Sequence, residues 1–236
     1  MKKLNVVLIV LLSASIVLTG CKSLNNAAKG GLIGAGTGAA IGAGIGVLIG
    51  KDGKSAAVGA AIGTAVGTTA GVIIGKKMDK AAAETAAQVE NAKVETIEDV
   101  NGLKAVKVTF DSGILFEFNK SVLNDASKTA LAKFADILIK NPTMDIAVLG
   151  HTDNVGSLEA NKKVSLARAK VVADYLVYNG AARTQMKSVE GRDYSMPVAS
   201  NETVEGRAQN RRVEVYMYAS EKMIEDAKKA ADTTNN

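Results

Sequence analysis

The chain has 236 residues, 47% hydrophobic and 22% charged, which excludes a disordered polymer and leaves room for one or two domains. A single Cys excludes an intrachain disulfide framework, and a single His with no HExxH spacing leaves no ordinary zinc site, so no metal or cofactor is expected. The net charge of +5 is scattered, two of it coming from Lys2 and Lys3, and does not indicate nucleic-acid binding. All nine aromatic residues fall between Phe110 and Tyr218, whereas fifteen of the 23 glycines fall between Gly30 and Gly75. A conventional core is therefore expected only in the C-terminal half.

Lys2 and Lys3 precede an apolar run over residues 4–18 that ends in Leu18-Thr19-Gly20-Cys21. A basic start, a short apolar stretch and small residues at the cut describe an export signal over residues 1–20. At about 15 residues the run is short for a membrane span. The string LTGC resembles the bacterial lipobox. That resemblance implies cleavage before Cys21, a diacylglyceryl thioether on its sulfur and acylation of the new N-terminus, with residues 21–29 as a lipidated tether. Several acyl chains anchor stably, each buried CH₂ contributing about 0.8 kcal/mol. Lys22 stands where an inner-membrane retention aspartate would be, so the outer membrane is the expected address.

Gly30, Gly34, Gly38, Gly42, Gly46 and Gly50 are spaced by four, as are Gly59, Gly63, Gly67, Gly71 and Gly75. Glycine at this density costs an isolated helix about 1 kcal/mol per residue relative to Ala, so a packing partner must offset it. Residues at i and i+4 share a helix face, and a glycine stripe there lets two backbones approach closely. No charge occurs over residues 30–50 or 55–75, and each stretch of 21 residues would be about 31 Å long as a helix. Three readings fit residues 30–75: a glycine-zipper helical hairpin in or against a membrane, a self-association surface making homo-oligomers, or a flexible spacer. Residues 76–102 read as a linker, with an exposed helix over 81–94.

From Leu103 the pattern is that of a globular domain, expected over residues 103–219. Val106, Val108 and Phe110 alternate with polar neighbours and predict a half-buried strand. A helix starts at Ser121 or Asn124, carries Leu131, Phe134, Ile137 and Leu138 on one face, and ends at Asn141-Pro142. Residues 144–149 read as a strand, 151–157 as a loop and 158–178 as a helix stopped by Gly180. Strands are expected over 187–190 and around Val213, Val215 and Met217, with a long loop between them. The order β-α-β-α-β-β predicts an α/β sandwich with helices on one face of a mixed sheet. Residues 220–236 read as a polar tail.

Gly150 to Ser157, reading GHTDNVGS, falls at a strand C-terminus, where α/β sheets commonly bind ligands. Arg168 lies eleven residues past Ser157, on a helix able to return it beside Asp153. Side by side, the carboxylate takes an ammonium and the guanidinium takes a carboxylate, which suits a zwitterion. An ordinary salt bridge is the alternative. His151 stands beside Asp153 without a paired Ser or Cys nucleophile, so no catalysis is expected.

GHTDNVGS, NKKVSLARAKVV and NETVEGRAQNRRVEV, preceded by ILFEFNKS, stand in the order of the OmpA-like peptidoglycan-binding domain, which residues 108–215 resemble. The resemblance implies non-covalent binding of the diaminopimelate in the stem peptide of peptidoglycan. By the same resemblance Asp153 receives the diaminopimelate ammonium and Arg168 clamps its carboxylate. Asn119 contacts the ligand from a loop, Thr152 and Arg211 flank the pocket, His151 packs the loop, and Arg212 and Glu214 form a structural pair. The whole reads as an envelope lipoprotein with its C-terminal domain in the periplasm, tethering membrane lipid to cell wall and making or breaking no bond. An oligomeric or pore-forming assembly built on the glycine stripe is the competing reading.

Overall fold

The computed structural model describes residues 68–99, 102–116 and 121–234. The export signal, Cys21, Asn119 and most of the glycine ladder lie outside them. In chain order the elements are α1 (Thr68–Gln88), β1 (Ala92–Glu98), β2 (Lys104–Asp111), α2 (Ser112–Leu115), α3 (Asp125–Lys140), β3 (Met144–Gly150), α4 (Leu158–Tyr178), a 3-10 turn (Arg183–Gln185), β4 (Met186–Gly191), α5 (Val204–Asn210), β5 (Arg212–Ala219) and α6 (Glu221–Thr234).

Local chemistry sets the helix ends. The Asn124 side chain accepts from Ser127 N at 2.9 Å and starts α3; Ser157 Oγ accepts from Ala160 N at 3.2 Å and starts α4. Gly180, at φ 101°, reverses the chain after α4, and its N–H and that of Ala181 bond to the carbonyls of Val177 and Leu176.

The five strands pair in the order β1-β2-β5-β3-β4. Only β3 and β4 are parallel; the other pairs are antiparallel, so the sheet is mixed as expected. β5 is central and all eight of its residues are buried. With period two, Val213, Val215 and Met217 join Val106, Val108 and Phe110 of β2 and Ile146 and Val148 of β3 in the main core. The helices pack on that face: Phe134 of α3 meets Phe110 edge-on at 6.1 Å, and Val172 and Leu176 of α4 complete the layer. The other face carries a smaller cluster that includes Leu149, Tyr216 and Tyr218, the two tyrosines being sheet-face residues.

Two expected elements differ. The helix expected over 81–94 ends at Gln88, and residues 92–98 form the edge strand β1, paired in register from Ala92↔Phe110 to Glu98↔Lys104. Far from being an exposed spacer, α1 buries Ala70, Ile74, Met78 and Ala81 in the main core. The expected polar tail is helix α6, whose Met223, Ile224, Ala227 and Ala231 are buried in the same core against α1. One hydrophobic core thus runs from Ala70 to Ala231, and the boundaries expected at 103 and 219 fall inside it. Gly71 and Gly75, the last two rungs of the glycine ladder, belong to α1. No helix among the described residues is long and apolar enough to cross a membrane.

Two glycines let α4 settle on the strand ends. A Cβ on Gly150 would lie 2.0 Å from Ser165 O, and one on Gly191 would lie 2.5 Å from Leu166 N. Only a residue without Cβ lets the backbone of α4 come this near β3 and β4.

Candidate functional site

The C-terminal ends of β3 and β4 and the start of β5 meet at one edge of the sheet. Beyond Gly150 the chain stays pinned on both sides. His151 N donates to Arg212 O at 2.9 Å and Thr152 N to Asp193 O at 2.8 Å. These bonds carry the strand direction two residues past β3 and set Asp153 just beyond it. The Asp153 side chain accepts through Oδ1 from Val155 N at 3.1 Å, and Asn161 Nδ2 donates to Val155 O at 2.9 Å to hold that turn. Asp153 is 8% exposed.

Arg168 reaches the site from α4, one turn beyond the Ser165 carbonyl that Gly150 admits. It is 9% exposed, and its guanidinium carbon stands 5.3 Å from the centre of the Phe116 ring, a cation–π stack. Burial pulls the Arg168 pKa down, Arg211 adds in the same direction and Asp153 opposes them, so all three charges share one field. An arginine stays protonated through such a shift.

The ion pair of Asp153 goes to Arg211, 58 residues along the chain, whose Nη1 donates to Oδ2 at 2.6 Å. Arg211 stands between α5 and β5, its carbonyl accepting from Ser112 N at 2.9 Å. A simple Asp153–Arg168 salt bridge is therefore not formed: the Asp153 carboxylate pairs with Arg211 and acts on Arg168 only through its field.

Behind these residues lies a buried support. Arg212 Nε donates to Glu214 Oε1 at 2.8 Å, Tyr216 Oη to Glu214 Oε2 at 2.5 Å, and His151 Nε2 stands 3.4 Å from Glu214 Oε2. Burial alone would raise the Glu214 carboxyl, but His151, Arg212 and Tyr216 hold it well below the usual range. Burial pushes His151 down, against the pull of Glu214. His151 is thus a packed loop residue and Arg212–Glu214 a structural pair, as the sequence reading expects.

Two buried polar atoms in the site, Arg168 Nε and Thr152 Oγ1, have no hydrogen-bond partner among the described residues. Folded proteins satisfy nearly all such atoms, and exceptions call for a ligand, a water or a strain. The structure brings Thr152, Asp153, Arg168 and Arg211 to one sheet edge, while Asn119 lies outside the described residues. Sequence reasoning missed Phe116 as a contributor, although it stands in the ILFEFNKS string, and the Val155 N–H, which no side-chain pattern announces.

A mixed five-stranded sheet with helices on one face and a carboxylate–guanidinium cluster at its edge defines an α/β sandwich with a charged site at the strand ends. Residues 115–211 match the model of the OmpA family, and residues 1–79 match the YMGG-like Gly-zipper. Residues 115–211 thus form an OmpA-family domain. It is similar to outer membrane protein Omp38 of Acinetobacter baumannii, 40% identical over 100 residues, which is 42% of this chain and 28% of that protein. Peptidoglycan-binding protein ArfA of Mycobacterium tuberculosis is 40% identical over 111 residues, 47% of this chain and 34% of its own length. The chain thus spans about a third of these curated relatives. Among solved structures, the cell wall anchor of the T6SS from Pseudomonas aeruginosa is 31% identical with a TM-score of 0.50, over 61% of this chain and 97% of that one.

Proposed function

We propose that this chain is an envelope lipoprotein that grips peptidoglycan without cleaving it. Its ligand is the diaminopimelate of the stem peptide, whose distal carbon carries a free ammonium and a carboxylate. Asp153 receives the ammonium and Arg168 the carboxylate, with Thr152 and Arg211 flanking and Asn119 contributing from its loop. The observation that carries this reading is Arg168: a buried guanidinium, stacked on Phe116 beside the Asp153 carboxylate, with an Nε that no described residue satisfies. The similarity to ArfA, named for peptidoglycan binding, supports it.

At the other end, cleavage before Cys21 and acylation of that residue hold the chain in the outer membrane with the domain in the periplasm. The protein then tethers membrane to wall. The match of residues 1–79 to a Gly-zipper favours a further role in self-association or assembly within the envelope.

The test is co-sedimentation of the full chain with purified sacculi. Removing one partner of a desolvated charge pair costs about 2–5 kcal/mol, roughly 30-fold to several thousand-fold in affinity. Asp153→Asn and Arg168→Gln are each expected to abolish sedimentation while the circular dichroism spectrum stays that of the parent. Binding that survives both substitutions sinks the pocket assignment. Cys21→Ser is expected to release the protein from membranes, and persistent membrane fractionation would move the anchoring role to the glycine segment.

A further inference from the structure

We infer that Arg211 is a specificity-determining residue: it reads a second carboxylate, so the site selects a head group carrying one ammonium and two carboxylates rather than a simple zwitterion. This rests on the reading of the site as a diaminopimelate pocket and adds to it.

The argument begins with charge. Asp153 supplies one negative charge against two positive ones from Arg168 and Arg211, so among these three side chains one guanidinium is unmatched, while the nearby Asp193 carboxylate is turned to Ser195 N at 2.8 Å. The cations around it do not change that balance, since Arg212 is matched by Glu214 at 2.8 Å and Arg192 by Glu190 at 2.7 Å. A ligand with one ammonium and one carboxylate leaves the excess in place. A ligand with a further carboxylate removes it.

Position decides which guanidinium reads which group. Arg168 is buried and fixed on the Phe116 ring. It suits the carboxylate that enters beside the ammonium. The Arg211 side chain is 38% exposed against 11% for Asp153, so it stands at the rim. In the free protein it rests on Asp153 Oδ2. An arriving ammonium competes for that oxygen, because Oδ1 already accepts from Val155 N. Two cations on one oxygen repel, and Arg211 is released outward with its charge uncompensated. A carboxylate several bonds from the ammonium-bearing carbon meets it there. In a stem peptide ending at diaminopimelate, the chain-end carboxyl of that residue is such a group. Arg211 thus makes the domain a reader of uncapped stem ends.

The experiment measures binding by titration calorimetry with the full chain in detergent micelles. The probes are L-Ala-γ-D-Glu-meso-diaminopimelate, the same tripeptide amidated at its chain-end carboxyl, and the same tripeptide amidated at the carboxyl beside the free ammonium. In the parent protein, chain-end amidation is expected to weaken binding about tenfold, the effect of losing one charge-assisted hydrogen-bonded pair. In Arg211→Gln the chain-end amide and the free acid are expected to bind within about twofold of each other. Amidation beside the ammonium weakens binding to both proteins, and Arg211→Lys keeps part of the chain-end discrimination. Equal chain-end losses in the parent and Arg211→Gln overturn the inference while leaving the pocket assignment standing. So does tighter binding of all three probes by Arg211→Gln, which makes Arg211 only a plug on Asp153. A parent protein that binds none of the probes overturns the inference and the proposed function together.

Discussion

Gly150→Ala probes the contact on which the site is built. The added Cβ would lie 2.0 Å from Ser165 O, 2.9 Å from its carbonyl carbon and 3.4 Å from Ala169 Cβ. Ordinary contacts begin near 3.4 Å, so α4 must retreat by roughly 1.4 Å, and its partner is backbone that cannot rotate away. Overpacking of this kind costs about 1–3 kcal/mol, or roughly 2–12 °C in Tm for a domain of this size. Arg168 follows Ser165 by one turn and moves with it, away from Phe116 and Asp153. A displacement of about 1 Å at a positioned group costs on the order of 100-fold. Thermal melting by circular dichroism and sacculi co-sedimentation read the two effects separately. The expected result is a folded protein with a lowered Tm and at least tenfold weaker sedimentation. Parent-like melting together with parent-like binding would refute the claim that this glycine sets the seat of α4.

Two further outcomes concern buried charge. Burial raises the Asp145 carboxyl to about 6, with Lys187 at 3.7 Å opposing and Glu221 adding. A folded-state value above the unfolded one means that the native state holds its proton longer. Stability therefore falls as pH rises from about 4 to about 6 and stays low above that window. Asp145→Asn is expected to remove this slope and to stabilise the protein at pH 7 by on the order of 1–3 kcal/mol in urea titration, and an unchanged slope would sink the assignment. Arg212→Ala leaves Glu214 buried without its guanidinium and is expected to cost about 3–5 kcal/mol, most of it restored by Arg212→Met with Glu214→Leu. A loss below about 1 kcal/mol in the single variant would show that the pair is not structural.

Much of the domain was legible because its core elements have clean periods. Val106, Val108 and Phe110 alternate strictly, the α3 face repeats at three and four, and Gly180 marks the end of α4. β1 escaped because AKVETIE is rich in helix formers and, as an edge strand, half-buries residues on both faces. Its strand character comes from the backbone groups of β2, a tertiary effect that propensity does not carry. α6 escaped because two of its four buried residues are alanines, and Met223 and Ile224 look isolated in a charged string. At the site, Asp153 and Arg168 were legible by residue type and by family string, since both lie on one strand–loop–helix unit. The Asp153–Arg211 pair was not, because it joins positions 58 residues apart that meet only when β5 enters beside β3.

α1 places a constraint on the glycine ladder. The second charge-free stretch covers residues 55–75, and its last part lies in α1, with Ala70 and Ile74 buried in the domain core. While α1 is docked, only residues 55–67 remain, about 20 Å as a helix against the roughly 30 Å of a bilayer's hydrocarbon layer. A docked α1 and a membrane span over 55–75 exclude one another. Ile74→Asp separates them. Ile74 is 0% exposed, and a carboxylate placed there loses the burial of a large aliphatic side chain and adds an unpaired charge. If α1 is part of the domain, the substitution is expected to destabilise it by more than about 3 kcal/mol, read as a lower urea midpoint of the full chain in micelles. A spanning helix would instead leave the domain's midpoint where it was and lower the yield in the membrane fraction. An unchanged midpoint therefore refutes the docked helix, and a lowered one rules out residues 55–75 as a continuous membrane span in the folded protein.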